Sequence, residues 1–147
     1  MTKLEREIHI AAEPADVYAK LMDPDCLGQW VTIQDELVEA PDGDLEQGDE
    51  LVQRCKVAGQ KFKLRWKVEK PDPPHKTVWR GRGPLGSKAR VTYDLAENEG
   101  GTRFKYTNEY SLPGGPLGKL AGRAVVGASG SEADRTLERL KKLIEKG

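Results

Sequence analysis

Hydrophobic and polar residues alternate without interruption along residues 61–70. Phe62, Leu64, Trp66 and Val68 fall on one side of this segment, and the charged residues between them fall on the other. Successive side chains of a β-strand leave opposite faces of the sheet, so this alternation predicts a strand with one face in water. The apolar face must then cover either a filled core or a space kept for another molecule.

The same alternation predicts several further strands. They lie at residues 4–10, 32–40, 49–57, 87–95 and 102–112, with a shorter one at 76–81. The Ala-Gly-Gln segment at 58–60 is a tight-turn signal between two of them, and the Glu-Asn-Glu-Gly-Gly segment at 97–101 is another. The proline-rich segment 70–74 is not expected to be a central strand or a helix interior, because proline lacks the N–H donor that those positions need.

Helical signals occupy the remaining segments. Pro14 and Pro24 suit first helical positions and predict two short helices, the second of which ends at Trp30. After Pro116, apolar residues recur at helical spacing and predict one long C-terminal helix. Glycines in this tail, together with a Ser-Glu-Ala-Asp segment that resembles a capping box, predict a weakened or kinked helix near residues 127–131.

The predicted order is a strand, two short helices, about six strands and a long helix. Antiparallel strands with one amphipathic helix bury that helix against one face of the sheet. The sequence therefore predicts an α+β fold. A chain of 147 residues fits one domain, which we expect to span residues 1–147.

Charge is balanced, with 24 Lys plus Arg and 24 Asp plus Glu. A balanced chain has no overall electrostatic attraction to nucleic acid or to an anionic membrane, so neither partner is expected. The basic side of residues 61–69 is interpreted as a solvated face. No apolar run approaches the roughly 18 residues of a membrane span. The segment that begins at Met1 shows no signal-peptide pattern, so the cytoplasm is the expected location, without membrane insertion.

The residues that bind metals or act as nucleophiles are scattered. Cys26, Cys55, His9 and His75 form none of the close pairs of a structural zinc site, so neither a metal nor a cofactor is expected. Cys55 shares the inward side of its strand and is interpreted as a small hydrophobic residue. His9 lies out of phase with its apolar neighbours and should face solvent, which leaves no support for a nucleophilic triad.

The segment 81–86 matches the glycine pattern of a dinucleotide-binding loop. That function needs a helix directly after the loop, whereas a predicted strand follows here. Pro84 also removes one N–H donor. A glycine-rich hairpin loop is the better interpretation.

A few polar residues fall in phase with apolar neighbours. They are Gln53, Tyr93, Tyr106, Asn108 and Tyr110. They are either buried groups satisfied by their neighbours or groups that line a cavity and orient a ligand. The pattern leaves both interpretations open.

Several long segments resemble the START/Bet v 1-like superfamily, and most closely the bacterial polyketide cyclase/dehydrase-like (SRPBCC) proteins. They are LEREIHIAAEPADVYAKLMDP, Trp30, VAGQKFKLRWKVEKPDPPHKTVWRGRGPLG, YDLAENEGGTRFKYTNEY and the closing TLERLKKLIE. The resemblance implies a helix-grip fold, in which a curved antiparallel sheet of about seven strands surrounds the last helix and leaves a cavity. It transfers no catalytic residue.

The resemblance implies binding of a small hydrophobic or aromatic ligand, of lipid or polyketide type, in that cavity. The side chains expected to line it are Trp30, Gln53, Cys55, Leu64, Trp66, Trp79, Ala89, Val91, Tyr93, Phe104, Tyr106, Asn108, Tyr110, Leu120 and Ala124. No protein partner is predicted.

Two other functions stay open. An enzyme of the polyketide cyclase or dehydratase kind would use Tyr106, Asn108 or Gln53 to hydrogen-bond a substrate oxygen. Such an enzyme would be recognised by an ionisable side chain that points inward and has a partner. Arg6 is the one weak candidate for such a group. The third function is an interaction or stress-related module with a collapsed cavity. Binding without catalysis is the leading hypothesis.

Overall fold

The computed structural model describes the backbone of residues 2–57, 59–111 and 116–146, and the side chains of these residues except those at 2, 57, 70, 85 and 116–129. The strands are β1 (Thr2–Ile10), β2 (Gln34–Glu39), β3 (Glu50–Val57), β4 (Gln60–Asp72), β5 (Lys76–Arg82), β6 (Lys88–Asn98) and β7 (Gly101–Ser111). The helices are α1 (Pro14–Leu21), α2 (Leu27–Trp30) and α3 (Pro116–Lys146), with 3₁₀ turns at Pro24–Cys26 and Pro84–Gly86.

The seven strands form one antiparallel sheet in the order β1-β7-β6-β5-β4-β3-β2. Strands β2 to β7 are neighbours in chain order, and β1 joins the sheet beside β7. Helix α3 contacts β1, β3 and both short helices, so it covers one face of the sheet. The predicted α+β fold with a helix-grip arrangement is confirmed.

The apolar side of β4 faces the core, as its alternation predicted. Trp66 and Val68 are buried, while Phe62 and Leu64 nearer the start of the strand are half-buried. The basic residues between them are exposed. Trp30 is also buried, so the two tryptophans expected in the core are there.

The prediction that residues 70–74 form neither a central strand nor a helix interior is confirmed, and the first part of the segment is strand with one neighbour. Strand β4 continues through Pro71 to Asp72, with Pro71 opposite Thr77 of β5. Strand β3 pairs with β4 only as far as Lys67, so this end of β4 has a neighbour on one side alone. A proline is tolerated at such an edge, because no second strand needs its missing N–H.

The turn predicted at 97–101 is confirmed, although β6 extends further into it than expected. Glu99 and Gly100 both have positive φ, at 50° and 78°. Two consecutive positive φ values are the signature of the tight hairpin turn whose twist matches that of antiparallel strands. This turn fixes the β6–β7 register that places Tyr93 opposite Tyr106.

The helices begin where the prolines predicted. Pro14, Pro24 and Pro116 are first residues, and the Asp23 side chain accepts a hydrogen bond from the Asp25 N–H over 3.0 Å. The backbone is helical through residues 127–131, so Ser131 lies inside α3 and not at a helix start. Among the described residues, no helix is long and apolar enough to cross a membrane.

Candidate ligand cavity

A cavity of about 70 Å³ lies between the inner face of the sheet, the segment after α2 and the C-terminal half of α3. Its lining residues are Leu4, Trp30, Val31, Ile33, Tyr93, Tyr106, Asn108, Glu132, Ala133, Thr136 and Leu137. Strand alternation brings Tyr106 and Asn108 to the same face of β7, and Tyr93 stands opposite Tyr106 on β6. Helical spacing brings Ala133, Thr136 and Leu137 to one side of α3.

One wall of the cavity is aromatic. Trp30 meets Tyr93 edge to face, with ring centroids 6.2 Å apart, and Tyr93 lies 5.9 Å from Tyr106. Such pairs are favourable because the positive edge of one ring meets the negative face of another. This wall is suited to a flat apolar molecule.

Two polar atoms on lining residues lack partners. The Nε1–H of Trp30 and Oδ1 of Asn108 are buried and have no hydrogen-bond partner among the described residues. Trp30 is 1% exposed, so solvent does not satisfy its indole. A buried donor or acceptor left without a partner costs about 1–3 kcal/mol, and such groups are rare in folded proteins. Both atoms belong to residues that line the cavity.

The other two tryptophans provide a contrast. Trp66 Nε1 donates to Oε1 of Gln53 over 2.8 Å, and Trp79 Nε1 donates to Oγ1 of Thr77 over 3.0 Å. Among the three indoles, all in the described part of the chain, Trp30 alone has no acceptor. It is also the one that borders the cavity.

A polar cluster closes the α3 side of the cavity. The backbone N–H of Thr32 donates to Oγ1 of Thr136 over 3.0 Å, and the Thr32 hydroxyl donates to the Glu132 carboxylate over 2.5 Å. Arg135 also pairs with Glu132. Within the described lining, Glu132 is the one charged residue. These contacts hold its carboxylate in place and give this side of the cavity a negative charge.

The two tyrosines of the aromatic wall stay neutral over the physiological range. Burial raises the pKa of Tyr106 to about 12, an effect opposed by the neighbouring Asn108 amide. Burial raises the pKa of Tyr93 well above its ordinary value. Neutral phenols donate and accept hydrogen bonds but are poor general bases near neutral pH. This wall is therefore equipped for positioning a ligand more than for proton abstraction.

The structure brings four of the predicted site residues together at this cavity, namely Trp30, Tyr93, Tyr106 and Asn108. Nine others lie elsewhere on the inner side of the molecule: Gln53, Cys55, Leu64, Trp66, Trp79, Ala89, Val91, Phe104 and Tyr110. Among them, Gln53 is a satisfied buried amide and Cys55 is a fully buried thiol whose pKa burial raises to about 12. The side chains of Leu120 and Ala124 lie outside the described residues.

Sequence reasoning missed several lining residues. They are Leu4, Val31, Ile33, Glu132, Ala133, Thr136 and Leu137. Leu4 is in phase with Ile8 and Ile10, and Leu137 is part of the apolar repeat of the C-terminal helix. The sequence pattern could therefore have predicted that both side chains point inward. Val31 precedes the strand predicted at 32–40 and carried no periodic signal, whereas Ile33 lies within that predicted strand but just before β2, which begins at Gln34.

The inward ionisable candidate Arg6 does have a partner, but that pair is not in the cavity. Arg6 Nε donates to Oδ1 of Asp134 over 2.8 Å, and both side chains are more than one-third exposed. The pair joins β1 to α3 at the surface. His9 is exposed, as predicted, and its ring lies 3.0 Å from the carbonyl of Asn98. Among the described residues, no group of three His, Cys, Asp or Glu side chains is placed to hold a metal ion.

Comparison with known families identifies the group to which the chain is related. The family described as polyketide cyclase / dehydrase and lipid transport matches residues 1–145. This chain belongs to that family. An uncharacterized protein of Mycobacterium tuberculosis is 31% identical over 130 residues, which cover 86% of this chain and 90% of the relative. The predicted family membership is confirmed.

Solved structures support the same fold. A Thermus thermophilus protein superposes with a TM-score of 0.78 at 20% identity, covering 99% of this chain and 98% of its own. A protein of the dynemicin biosynthetic locus superposes with a TM-score of 0.68 at 17% identity, covering 97% of this chain and 47% of its own. At these identities the two solved structures show a shared fold, and their chemistry does not transfer.

Proposed function

We propose that this protein binds one small, neutral, hydrophobic ligand with an aromatic ring and a hydroxyl group, in the cavity between the sheet and α3. The observation that carries the proposal is the pair of unsatisfied atoms on Trp30 and Asn108. A hydroxyl accepts a hydrogen bond from an indole N–H and donates one to an amide oxygen, so it is the kind of group that each of these atoms lacks. The aromatic wall then accommodates the ring.

The charge of the cavity narrows the class of ligand further. Glu132 is held at the α3 side by Thr32 and Arg135, so its carboxylate lies beside any occupant. A second negative charge there would be repelled, and both charges would be partly desolvated. Neutral phenols and alcohols are therefore favoured over fatty acids and other carboxylates.

The size of the cavity limits the ligand as well. Its volume of about 70 Å³ is roughly half that of an engineered cavity of about 150 Å³ that binds benzene. A one-ring ligand thus requires the walls to separate. A helix packed by side chains separates from a sheet more readily than hydrogen-bonded strands separate from one another, so α3 is the wall that we expect to shift.

A matched pair of ligands tests the proposal. Phenol and toluene have nearly the same shape, but only phenol offers a hydroxyl. In a proton–nitrogen NMR correlation spectrum, phenol should move the Trp30 indole N–H resonance, whereas those of Trp66 and Trp79 should stay fixed because both already have acceptors. Toluene should bind more weakly and move the Trp30 signal less.

Two variants separate the hydroxyl contacts from the cavity itself. Trp30→Phe removes the N–H and keeps an aromatic ring, while Asn108→Leu removes the amide at similar size. Either should abolish the preference for phenol over toluene while leaving toluene binding. Gln53→Leu is the matched control, since it removes a buried amide that does not line the cavity. A wild-type protein that binds neither compound would refute the proposal, and one that binds both equally would refute the role of the hydroxyl.

The described residues favour binding over cyclase or dehydratase chemistry. Proton abstraction needs a base close to its working pH, and the two cavity tyrosines have raised pKa values. The carboxylate of Glu132 is already engaged by Thr32 and Arg135. Carriage of an apolar molecule also agrees with the lipid-transport part of the family description.

A further inference from the structure

The outer face of the sheet, opposite α3, carries a dense group of positive charges on four neighbouring strands. We call this group the basic face. It consists of Arg54 and Lys56 on β3, Lys61, Lys63, Arg65 and Lys67 on β4, Arg80 and Arg82 on β5, and Lys88 and Arg90 on β6. These ten residues are among the 24 basic residues of the chain. Eight are exposed, and Arg54 and Arg90 are half-buried.

The strand register places these charges against one another. Arg65 on β4 stands opposite Arg82 on β5, and Arg82 stands opposite Lys88 on β6. Arg54 stands opposite Lys63 across the β3–β4 pair. Directly opposed residues of antiparallel strands have Cβ atoms about 4.5–5.5 Å apart, and like charges there are destabilising. These opposed like charges lower the stability of the fold. Exposure to solvent alone therefore does not explain why basic residues occupy these positions.

Only part of the basic face is neutralised within the protein. Arg54 pairs with Asp35 and Glu36, and Arg80 pairs with Glu69. Lys61 lies 3.9 Å from Asp35. The seven other members have no acidic partner within 4.0 Å among the residues that the structure describes: Lys56, Lys63, Arg65, Lys67, Arg82, Lys88 and Arg90. They lie on all four strands and so form a continuous positive surface.

The balanced total charge of the chain therefore hides a local concentration of positive charge on the basic face. Five acidic residues are concentrated in the segment 42–50, and the last of them, Glu50, stands opposite Lys67 at the border of the face. The expectation that no anionic partner is attracted rested on net charge alone. An oriented charge distribution attracts an anionic surface even when the sum of charges is zero.

We propose that the basic face docks the protein on an anionic lipid surface, without insertion. The charges form a two-dimensional array, because strands lie about 4.8 Å apart and outward residues recur about every 6.7 Å along each strand. Such an array matches a plane of phosphate and carboxylate headgroups. Each Lys or Arg brought to such a surface adds to the attraction. This proposal is independent of the cavity and its ligand.

A nucleic acid is the competing polyanion, and the face is less suited to it. The described outward residues of β3 to β6 include no aromatic side chain, so bases have nothing on which to stack. The positive charges are spread across four strands, whereas a duplex presents its phosphates as two narrow ridges. The test below includes this alternative as an outcome.

The experiment measures binding to lipid vesicles by co-sedimentation at low and high salt. Wild-type protein should bind vesicles of phosphatidylcholine mixed with phosphatidylserine, should ignore phosphatidylcholine alone, and should be released by salt. The test variant carries Lys63→Gln, Arg65→Gln, Arg82→Gln and Lys88→Gln. It should bind at least about tenfold more weakly, since each lost charge removes part of the attraction.

The matched control carries Lys20→Gln, Arg139→Gln, Lys142→Gln and Lys146→Gln, which lie on helices α1 and α3 and not on the outer face of the sheet. It has the same change in net charge, and its binding should stay within about threefold of wild type if the location of the charges matters. Equal loss in both variants, or no binding of wild type to the mixed vesicles, would overturn the proposal. Tighter binding to duplex DNA than to vesicles at the same salt would overturn it in favour of a nucleic acid. The indole N–H spectrum verifies that each variant is folded.

Discussion

The indole N–H of Trp66 donates to Oε1 of Gln53 over 2.8 Å, across the paired strands β3 and β4. The other end of the same amide donates from Nε2 to Oε1 of Gln34 over 2.7 Å. Gln53 is 5% exposed, so these bonds replace water that it lost on burial. Gln53 was predicted to contact a ligand, but its side chain forms hydrogen bonds within the core.

Replacement of Gln53 by leucine should destabilise the fold by about 1–3 kcal/mol, because the Trp66 N–H is then buried without an acceptor. Urea unfolding with tryptophan fluorescence measures the change. Gln34→Leu is the comparison variant, since it removes the acceptor of Gln53 Nε2 and keeps the Trp66–Gln53 bond, so the difference between the two variants reports on the tryptophan. A Gln53→Leu cost no larger than that of the comparison variant would show that the bond contributes little.

Gly81→Ala should destabilise by about 1–3 kcal/mol through overpacking. A Cβ at Gly81 would lie 2.7 Å from ring atoms of Trp66, and both residues are buried in paired strands. Gly28→Ala is the matched control, because the nearest atom there is the flexible amide of Gln34 at 3.3 Å and alanine favours the helix. Thermal melts should separate the two variants clearly, and similar melting temperatures would contradict the close contact.

Arg82→Glu should stabilise the protein by about 0.2–1 kcal/mol, since it replaces two like-charge pairs, with Arg65 and Lys88, by opposite-charge pairs. Arg103→Glu makes the same change of charge where an ion pair exists, with Glu7 at 3.0 Å, so it should destabilise. Denaturant melts at low and high salt measure both effects, which should shrink as salt rises. Equal responses of the two variants would argue against repulsion in the basic face.

Stability should fall as pH rises above about 9. Burial raises the pKa of Cys55 from 9.0 to about 12 and that of Tyr106 from 10.0 to about 12. Above their unfolded pKa values, the unfolded chain releases these protons while the folded protein keeps them, so the unfolded state binds fewer protons and stability declines up to about pH 12. Urea melts in steps from about pH 8 to about pH 11 follow this decline. Cys55→Val should remove the part of the stability loss that begins near pH 9. An unchanged dependence of stability on pH in this variant would contradict a buried protonated thiol at Cys55.

Ala133→Val tests whether the cavity is free space. Ala133 is buried and lines the cavity, so the added methyl groups should fit without the usual overpacking cost of about 1–3 kcal/mol. The same change should weaken binding of phenol, because it occupies the volume that the ring needs. Ala12→Val, on a half-buried residue outside the cavity lining, controls for the substitution itself. Destabilisation by Ala133→Val with unchanged binding would place the ligand elsewhere.

Most of the sheet was predictable because strand alternation is a local property. The inward residues Trp66, Val91 and Phe104 each follow from period-two spacing within one segment. Prolines at positions 14, 24 and 116 likewise marked helix starts from local stereochemistry. Pro71 was correctly excluded from a central strand, but its place at the one-sided end of β4 was not predictable, because it depends on how far the neighbouring strand β3 extends.

The cavity was only partly predictable, because it is defined by contacts between distant segments. Sequence phase placed Tyr106 and Asn108 inward but could not distinguish them from Gln53, which has the same inward phase and finds acceptor and donor partners in the core. The basic face shows the same limit. The alternation of β4 was evident, but only the register with β5 and β6 shows that Arg65, Arg82 and Lys88 oppose one another.

The position of β1 beside β7 has a consequence for how the chain acquires its structure. Ile10 pairs with Thr102 and Thr2 pairs with Tyr110. Strand β1 therefore cannot pair until β7, about 100 residues later in the chain, is available. During synthesis at about 5–20 residues per second, β2 to β6 can form hairpins in turn while β1 stays unpaired. Closure of the sheet is therefore the late, long-range step of folding, and slowed synthesis before residue 102 prolongs the exposure of the apolar side of β1 to chaperones and to neighbouring chains.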